Sequence, residues 1–207
     1  MSDNLIHALA ADSRPDVLDT LDADVTALHD RLVEQASAAG SLDLGYRVVD
    51  SPVGHLLLAA TDLGLTRLAF ESEDHDAVLE TLATRIGSRI LRDDKRFDVL
   101  ARELDDYFAG RRHGFDIPVD LRLAHGFRLE VLRHLRDIPY GHTESYAQVA
   151  ASAGNPRAVR AVGSACATNP VPIVVPCHRV VRSDGGLGGY LGGTAAKRLL
   201  LDVESAA

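Results

Sequence analysis

The apolar pattern of the chain changes its period along the sequence, and this change sets the fold class. Between Leu44 and Phe70 the short β-prone runs YRVVD, HLLLAAT and LTRLAF are separated by the turn-like DSPVG and TDLG, which predicts a small antiparallel sheet. Apolar residues then recur at helical spacing, first in Val78, Leu79, Leu82 and Ile86 and then in Phe97, Leu100, Leu104 and Phe108. A sheet with helices followed by a mainly helical region predicts an α+β fold.

The first 43 residues are predicted to form an acidic helical extension. Leu18, Leu21, Val25, Leu28 and Leu32 alternate at spacings of three and four, which places them on one helical face. Pro15 fits the start of this helix and Gly40 its end. Two interpretations remain open, because the apolar face could pack on its own domain or form a short two-heptad pairing seam.

Three regions follow from the change in composition: the extension at 1–43, an α+β domain at 44–120 and a helical domain at 121–207. Residues 118–124 are interpreted as the linker between the last two. In the helical domain, a helix marked by Phe127, Val131, Leu135 and Ile138 ends at Pro139-Tyr140-Gly141.

Two short helices then form a helix-turn-helix pattern. Ser145 with Gln148 makes a capping box that opens the first helix, Gly154 ends it, and Asn155-Pro156 is predicted to cap and start the second. The second helix carries small residues, among them Ala158, Ala161 and Gly163, together with Arg157 and Arg160. A slim basic helix can approach a duplex closely.

The net charge of -8 by itself argues against nucleic acid, because phosphate binding depends on Lys and Arg. The charge is unevenly distributed, however. Residues 1–120 carry 12 Lys or Arg against 24 Asp or Glu, whereas residues 121–207 carry 10 against 6. The basic excess in the C-terminal region therefore permits DNA binding there without demonstrating it.

Composition also limits the cellular context and the chemistry. No apolar run approaches the roughly 20 residues that span a bilayer and no signal peptide is visible, so a cytoplasmic protein without membrane contact is expected. The two cysteines, Cys166 and Cys177, do not make a disulfide framework or a zinc motif, and the nine histidines form no ligand cluster. We expect no metal and no cofactor. Cys166 fits a small packing residue, with a second reactive thiol as the alternative.

The segment with the clearest chemical content is NPVPIVVPCHRVV at 169–181, an apolar strand-like run that presents Cys177 beside His178. A buried structural thiol next to a satisfied histidine is the ordinary interpretation of such a pair. PCHRVV, however, resembles the active-site signature of the 6-O-alkylguanine-DNA alkyltransferases, the methylated-DNA-protein-cysteine methyltransferases. The resemblance spans about residues 44–204, strongest after 125, and includes IPYG, SYAQVA, GNPRAVRAVG, GGYLGG, KRLLLDVE and, more weakly, DSPVGHLLLAATDLGL.

The resemblance implies a ribonuclease-H-like first domain, a winged helix-turn-helix second domain, and irreversible transfer of an alkyl group from guanine in DNA to Cys177. A free thiol with a pKa of about 8.5 is mostly protonated at neutral pH, so the displacement needs a base. His178 is the natural candidate, but adjacent side chains of an extended segment face opposite ways, so its contact with Cys177 requires a sharp turn or a bridging water. The resemblance implies the water-mediated route. The resemblance further implies that Glu204 polarises His178 and that Asn169 braces the active-site turn.

The resemblance also implies the substrate contacts. Tyr146 would donate to the leaving guanine, and the backbone carbonyls of Cys177 and Val180 would accept from its amino group. The loop 183–193 would form a wall of the substrate pocket, and the expected pocket residues are Pro172, Val180, Tyr190 and Leu191. Double-stranded DNA containing alkylated guanine would be bound through its minor groove by a monomer, with the damaged nucleotide rotated out and Arg160 filling the gap. The expected DNA contacts are Arg157, Ala158, Arg160 and Ser183.

Two departures from the family pattern stand out. The usual Phe-Gln-x-x-Val-Trp is Phe127, Arg128, Leu129, Glu130, Val131 and Leu132, and Leu191 stands where some members have serine. Two other classes of function remain as alternatives: a non-catalytic sensor of alkylguanine, whose known relatives lack the cysteine, and a cysteine hydrolase using Cys177, His178 and Glu204.

Overall fold

The computed structural model describes the backbone of residues 17–205 and the side chains from residue 24 onward, and the chain divides into two compact units, Met1–Ser41 and Leu42–Ala207. The helices are α1 Val17–Ala38, α2 His75–Arg85, α3 Asp98–Phe108, α4 Gly126–Leu135, α5 Tyr146–Ser152, α6 Val159–Ala167 and α7 Gly193–Ser205. The strands are β1 Leu44–Val49, β2 Leu56–Thr61, β3 Gly64–Phe70, β4 Ile90–Arg92, β5 Glu144–Ser145 and β6 Val180–Val181.

Helix α1 forms the first unit, as the apolar spacing predicts, and the chain turns at Gly40 with a φ of 61°. Pro15 and the side chains of Leu18 and Leu21 lie outside the described residues. Val25, Leu28 and Leu32 are 64%, 63% and 52% exposed. None of the described helices combines the length and apolar character needed to cross a bilayer.

The second unit is built on a four-stranded sheet with the strand order β3-β2-β1-β4. Strands β1, β2 and β3 form the predicted antiparallel meander, with Val48 opposite Leu57 and Leu58 opposite Leu68. A fourth strand, β4, pairs in parallel with β1 and was not predicted from the sequence. It has only three residues, too few to show a period of two.

The sheet is buried on both faces, and successive side chains along each strand point to opposite faces. Leu57 and Ala59 of β2 face α2 in a small cluster that includes Val78 and Leu82. Leu56 and Leu58 instead join the larger core shared with α3 and the C-terminal helices. The sheet and the helical region thus share one continuous core. This continuity holds the site residues of both halves in fixed relative positions.

The segment interpreted as a linker, residues 118–124, is attached to the sheet. Leu65 N donates to Pro118 O and Asp120 N donates to Leu65 O, both at 2.9 Å. Buried Asp120 also accepts from Thr61 Oγ1 at 2.7 Å. These bonds tie the beginning of the helical region directly to β3.

The two short helices of the helix-turn-helix pattern are α5 and α6. Ser145 and Gln148 form the predicted capping box, with Gln148 N donating to Ser145 Oγ at 3.2 Å. The predicted start of the second helix is wrong, because α6 begins at Val159 rather than at Asn155-Pro156. Asn155 O accepts from Ala158 N at 2.9 Å, so these residues form a separate turn before the helix.

The strand-like interpretation of residues 169–181 is also wrong for most of the segment. Only Val180–Val181 is a strand, and it pairs in parallel with β5. The rest is a tight turn, in which Val175 N donates to Val171 O and Cys177 N donates to Val175 O, both at 2.8 Å. Prolines lack the N–H that a ladder needs, and Ile173 takes a φ of 72°, which no strand tolerates.

Candidate active site

Asn169 and Cys177 lie at the two ends of this tight turn and contact each other. Asn169 is fully buried, and its Nδ2 donates to Val175 O at 2.8 Å and to Cys177 Sγ at 3.1 Å. Its Oδ1 accepts from Val171 N at 3.0 Å. One amide side chain therefore contacts both the backbone of the turn and the sulfur atom.

Cys177 opens a single 3-10 turn, Cys177–Arg179, and is only 2% exposed. Burial raises the pKa of its thiol to about 11, against the opposing effects of the Asn169 hydrogen bond and the nearby Lys197 charge. The resting thiol is therefore protonated at neutral pH. A nucleophilic reaction of Cys177 requires a base that removes this proton.

His178 follows in the same turn and is fully buried. Its Nε2 donates to Glu204 Oε1 at 2.8 Å, whereas its Nδ1 is buried and has no hydrogen-bond partner among the residues that the structure describes. Burial lowers the pKa of His178 despite the opposing effect of Glu204, so the ring is neutral at pH 7. A neutral ring that donates through Nε2 offers the lone pair of Nδ1 as a proton acceptor.

Glu204 lies on the buried face of α7 and receives more donors than the sequence suggests. Arg179 Nε donates to Oε2 and its Nη2 to Oε1, each at 2.9 Å, in a forked ion pair. Tyr107 of α3 donates to Oε1 at 2.6 Å. Burial alone would raise the pKa of Glu204, but His178, Arg179 and Tyr107 lower it to about 2. The carboxylate is ionised, and Arg179 balances its charge while His178 remains neutral.

Sequence reasoning did not assign roles to Arg179 and Tyr107. Arg179 stands inside the PCHRVV motif, so its position next to the reactive pair was a usable signal. Tyr107 is harder to find, because it continues the apolar face of α3 marked by Leu100 and Leu104 and fits an ordinary core residue. Only the folded structure brings its hydroxyl to α7.

Tyr146 reaches the site because β5 pairs with β6. This pairing sets Ser145 opposite Val181, directly after the active-site turn, and Tyr146 starts the next helix. Burial raises the pKa of Tyr146, so its hydroxyl keeps the proton needed by a donor. The loop packs closely against it: a Cβ at Gly188, which has a φ of 67°, would lie 2.7 Å from the Tyr146 hydroxyl oxygen.

The other expected pocket residues surround the same turn. Pro172 and Val180 are buried, and the Tyr190 ring packs edge-on against Phe70 and His178. The Tyr190 hydroxyl is buried and has no hydrogen-bond partner among the described residues. Lys197, which the sequence analysis did not assign, is fully buried and donates to Val180 O at 2.6 Å and to Leu187 O. Lys197 therefore joins β6 to the loop that carries Tyr190 and Leu191.

The expected DNA contacts lie on the protein surface. Arg157 and Arg160 are exposed, Ala158 is half-buried before the first turn of α6, and Ser183 is exposed in the loop after β6. Cys166 lies on the buried side of α6, 6% exposed, and burial raises the pKa of its thiol further than that of Cys177. This environment agrees with a packing role for Cys166.

Within the described part of the chain, no group of three or more His, Cys, Asp or Glu side chains could hold a metal ion. The arrangement consists of a buried protonated thiol, a neutral histidine and an ionised carboxylate. It is suited to acid-base assistance of a nucleophilic thiol.

Two family models match the chain and together span most of the second unit. Residues 44–121 match the ribonuclease-like domain of 6-O-methylguanine DNA methyltransferase, and residues 126–206 match its DNA binding domain. The chain belongs to this family. The family match confirms the predicted resemblance and the α+β fold class, including the ribonuclease-like first part and the helical second part.

Individual relatives agree with the family models. Methylated-DNA-protein-cysteine methyltransferases from Methanosarcina barkeri and Mycolicibacterium paratuberculosis are 40% and 43% identical over 159 residues, covering 77% of this chain and 96% and 91% of theirs. The crystal structure of Mycobacterium tuberculosis O6-methylguanine methyltransferase superposes with a TM-score of 0.69 at 39% identity, covering 79% of this chain and 93% of that one. A structure of the tuberculosis family member OGT in complex with DNA gives a TM-score of 0.67 at 39% identity, covering 78% and 93%.

Proposed function

We propose that this protein repairs DNA directly, by moving an alkyl group from the exocyclic oxygen of a damaged guanine to Cys177, once per molecule. The bond between the alkyl carbon and the guanine oxygen breaks, and a bond between that carbon and Sγ forms. The thiol proton passes to the departing guanine, which leaves as the normal base. The thioether is stable, so the protein is consumed in the reaction.

The observation that carries this proposal is the arrangement of His178 between Cys177 and Glu204. Nε2 is committed to Glu204, and the free Nδ1 can take the thiol proton through a water molecule. A positive charge on the ring is then stabilised by the ionised Glu204. Because the thiol is protonated at rest, this relay accounts for reactivity that a buried cysteine alone would lack.

The assignment of substrate contacts rests on position around the sulfur. Tyr146 keeps its hydroxyl proton and borders the loop at Gly188, which suits a donor to the developing negative charge on guanine. The carbonyl of Val180, three residues after Cys177, accepts a hydrogen bond from Lys197 at 2.6 Å. Tyr190 and Leu191 close the loop side of the pocket, and Pro172 closes the turn side.

Double-stranded DNA is the proposed partner. The second family model describes a DNA binding domain, and the OGT relative was solved in complex with DNA. Arg160 on the exposed side of α6, together with Arg157 and Ala158 in the turn that precedes this helix, offers a narrow basic surface for the minor groove, and Ser183 extends it on the neighbouring loop. Arg160 would occupy the space of the extruded nucleotide. The protein acts as a monomer in this proposal, because one chain supplies every group of the site.

Mass spectrometry of the intact protein tests the proposal directly. After incubation with a duplex oligonucleotide containing one O6-methylguanine, the protein should gain one methyl group, saturating at one equivalent, and peptide mapping should place it on Cys177. Cys177→Ser should gain nothing, whereas Cys166→Ser should react like the parent protein. Binding without any mass gain would support the sensor alternative, and turnover of an ester would support the hydrolase.

A further inference from the structure

A cavity of about 450 Å³ lies beside the active-site turn, separate from the reacting thiol. It is bordered by β3, α2, the first turn of α4 and residues 167–170. Three arginines from three different elements line it: Arg67 of β3, Arg85 at the end of α2 and Arg128 of α4. Arg128 is the residue that replaces glutamine in the usual family motif. The cavity shares only Asn169 and Leu191 with the proposed active site.

The charges around this cavity are not balanced. Glu73 is the acidic residue among those that line it, and it pairs with Arg67. Arg85 is exposed and makes no ion pair with the described residues. Arg128 donates to the carbonyls of Leu123, at 3.2 Å, and Thr168, and its buried Nε has no acceptor within the described part of the chain. Three guanidinium groups against one carboxylate leave an excess of two positive charges.

The positive charges of the three arginines also repel one another. Burial lowers the pKa of Arg128, and the charges of Arg85 and Arg67 lower it further. A negative ligand between them would remove this repulsion. Guanidinium groups bind phosphate oxygens with paired hydrogen bonds, and an excess of two positive charges matches a dianion. The volume lies within the usual range of about 300–1,000 Å³ for small-molecule sites.

We propose that this cavity binds a phosphate group, either inorganic phosphate or the terminal phosphate of a small molecule. Arg85 and Arg128 make the main contacts, because the charge of Arg67 is already balanced by Glu73, whereas no described carboxylate pairs with the other two. The site is also linked to the thiol turn. Arg67 Nη1 donates to the carbonyls of Asn169, at 3.4 Å, and Pro170, at 3.1 Å. A bound phosphate therefore sits against the backbone that positions Asn169.

Thermal unfolding of the full chain tests the proposal. Sodium phosphate should raise the melting temperature in a saturable way, above the effect of sodium chloride at matched ionic strength. Arg85→Gln, an exposed change that spares folding, should weaken phosphate binding by about tenfold or more, as should Arg128→Gln. Arg133→Gln is the matched control, because Arg133 is an exposed arginine of α4 outside this cavity, and it should bind phosphate as the parent does.

The arms of the experiment separate the sources of the phosphate. If a nucleoside monophosphate half-saturates the shift in melting temperature at a lower concentration than inorganic phosphate does, the ligand is a small phosphorylated molecule. Equal half-saturating concentrations would identify free phosphate. Equal effects of phosphate and chloride, or unchanged binding in both variants, would overturn the proposal. The proposal would also be overturned if Arg85→Gln weakened only the binding of unmodified duplex DNA and left phosphate binding unchanged. Methyl transfer to Cys177 is measured separately on each variant, so failure of this site is distinguishable from failure of the repair function.

Discussion

The Tyr107 hydroxyl donates a hydrogen bond to Glu204 Oε1 at 2.6 Å, which joins α3 to the last helix across 97 positions of sequence. The same hydroxyl oxygen lies 3.3 Å from His178 Nε2. Through this contact the sheet-containing half of the molecule reaches the carboxylate that holds His178. The ribonuclease-like part therefore supports the reactive groups directly, in addition to sharing their core.

Replacing Tyr107 by phenylalanine removes this donor and leaves the ring in place. Because hydrogen bonds to charged groups contribute about 1.5–3 kcal/mol, the free energy of unfolding in urea should fall by that amount and methyl transfer should slow. Tyr140→Phe is the matched control: its hydroxyl donates to the neutral carbonyl of Val203 at 3.0 Å, and its loss should cost about 0.5–1.5 kcal/mol. Equal losses in the two variants would contradict the special role of Tyr107.

Acid should destabilise the protein through Glu204. The pKa of this carboxyl is about 2 in the folded chain, against an ordinary value of 4.5, so its contribution to stability is complete above pH 4.5 and is lost as the pH falls towards 2. Glu204→Gln removes a titrating group and leaves Arg179 buried without its partner. The variant should be less stable at pH 7, and urea unfolding between pH 4.5 and 2 should show a smaller loss of stability than in the parent. If the free energy of unfolding fell equally with pH in the parent and in Glu204→Gln, the prediction would be refuted.

Much of the fold could be predicted from the sequence, because periodic apolar residues report burial. The spacings in α2 and α3 and the capping box at Ser145 predicted elements that the structure contains. The errors fall where backbone geometry overrides propensity. The apolar, β-branched segment around Ile173 looks extended, yet three prolines and a positive φ fold it into a turn.

Some features of the candidate site could likewise be predicted from the sequence, and others could not. Cys177, His178 and Glu204 could be named because their motifs resemble those of a family, and the hydrogen bond from His178 to Glu204 is present in the fold. The raised pKa of Cys177 could not be predicted, since it depends on complete burial of the sulfur atom. Tyr107 could not be assigned from the sequence, because a tyrosine in the core and a tyrosine that reaches a site occupy the same positions on a helix.

Gly188 should be the most sensitive glycine of the pocket loop. Its φ of 67° disfavours any side chain, and a Cβ there would displace the Tyr146 hydroxyl. Gly188→Ala should slow methyl transfer by about tenfold or more, corresponding to a barrier increase of at least about 1.4 kcal/mol. Gly189→Ala is the neighbouring control, because a Cβ at that position meets no atom within 4 Å, and it should react at the parent rate. Single-turnover kinetics on methylated duplex DNA would compare the two variants, and equal rates for Gly188→Ala and Gly189→Ala would contradict the prediction.

Arg160 should matter only when the damaged base must leave a duplex. Extrusion costs a few kcal/mol, and Arg160 is exposed on α6. In the proposed role, Arg160 would offset part of that cost by filling the vacated position. Arg160→Ala should therefore slow repair of duplex DNA by about tenfold or more relative to its reaction with free O6-methylguanine. Arg111→Ala, an exposed arginine of the ribonuclease-like part, is the control and should leave both rates unchanged. Equal losses on duplex and free base would mean that Arg160 supports folding or the thiol itself, and would remove it from the DNA contacts.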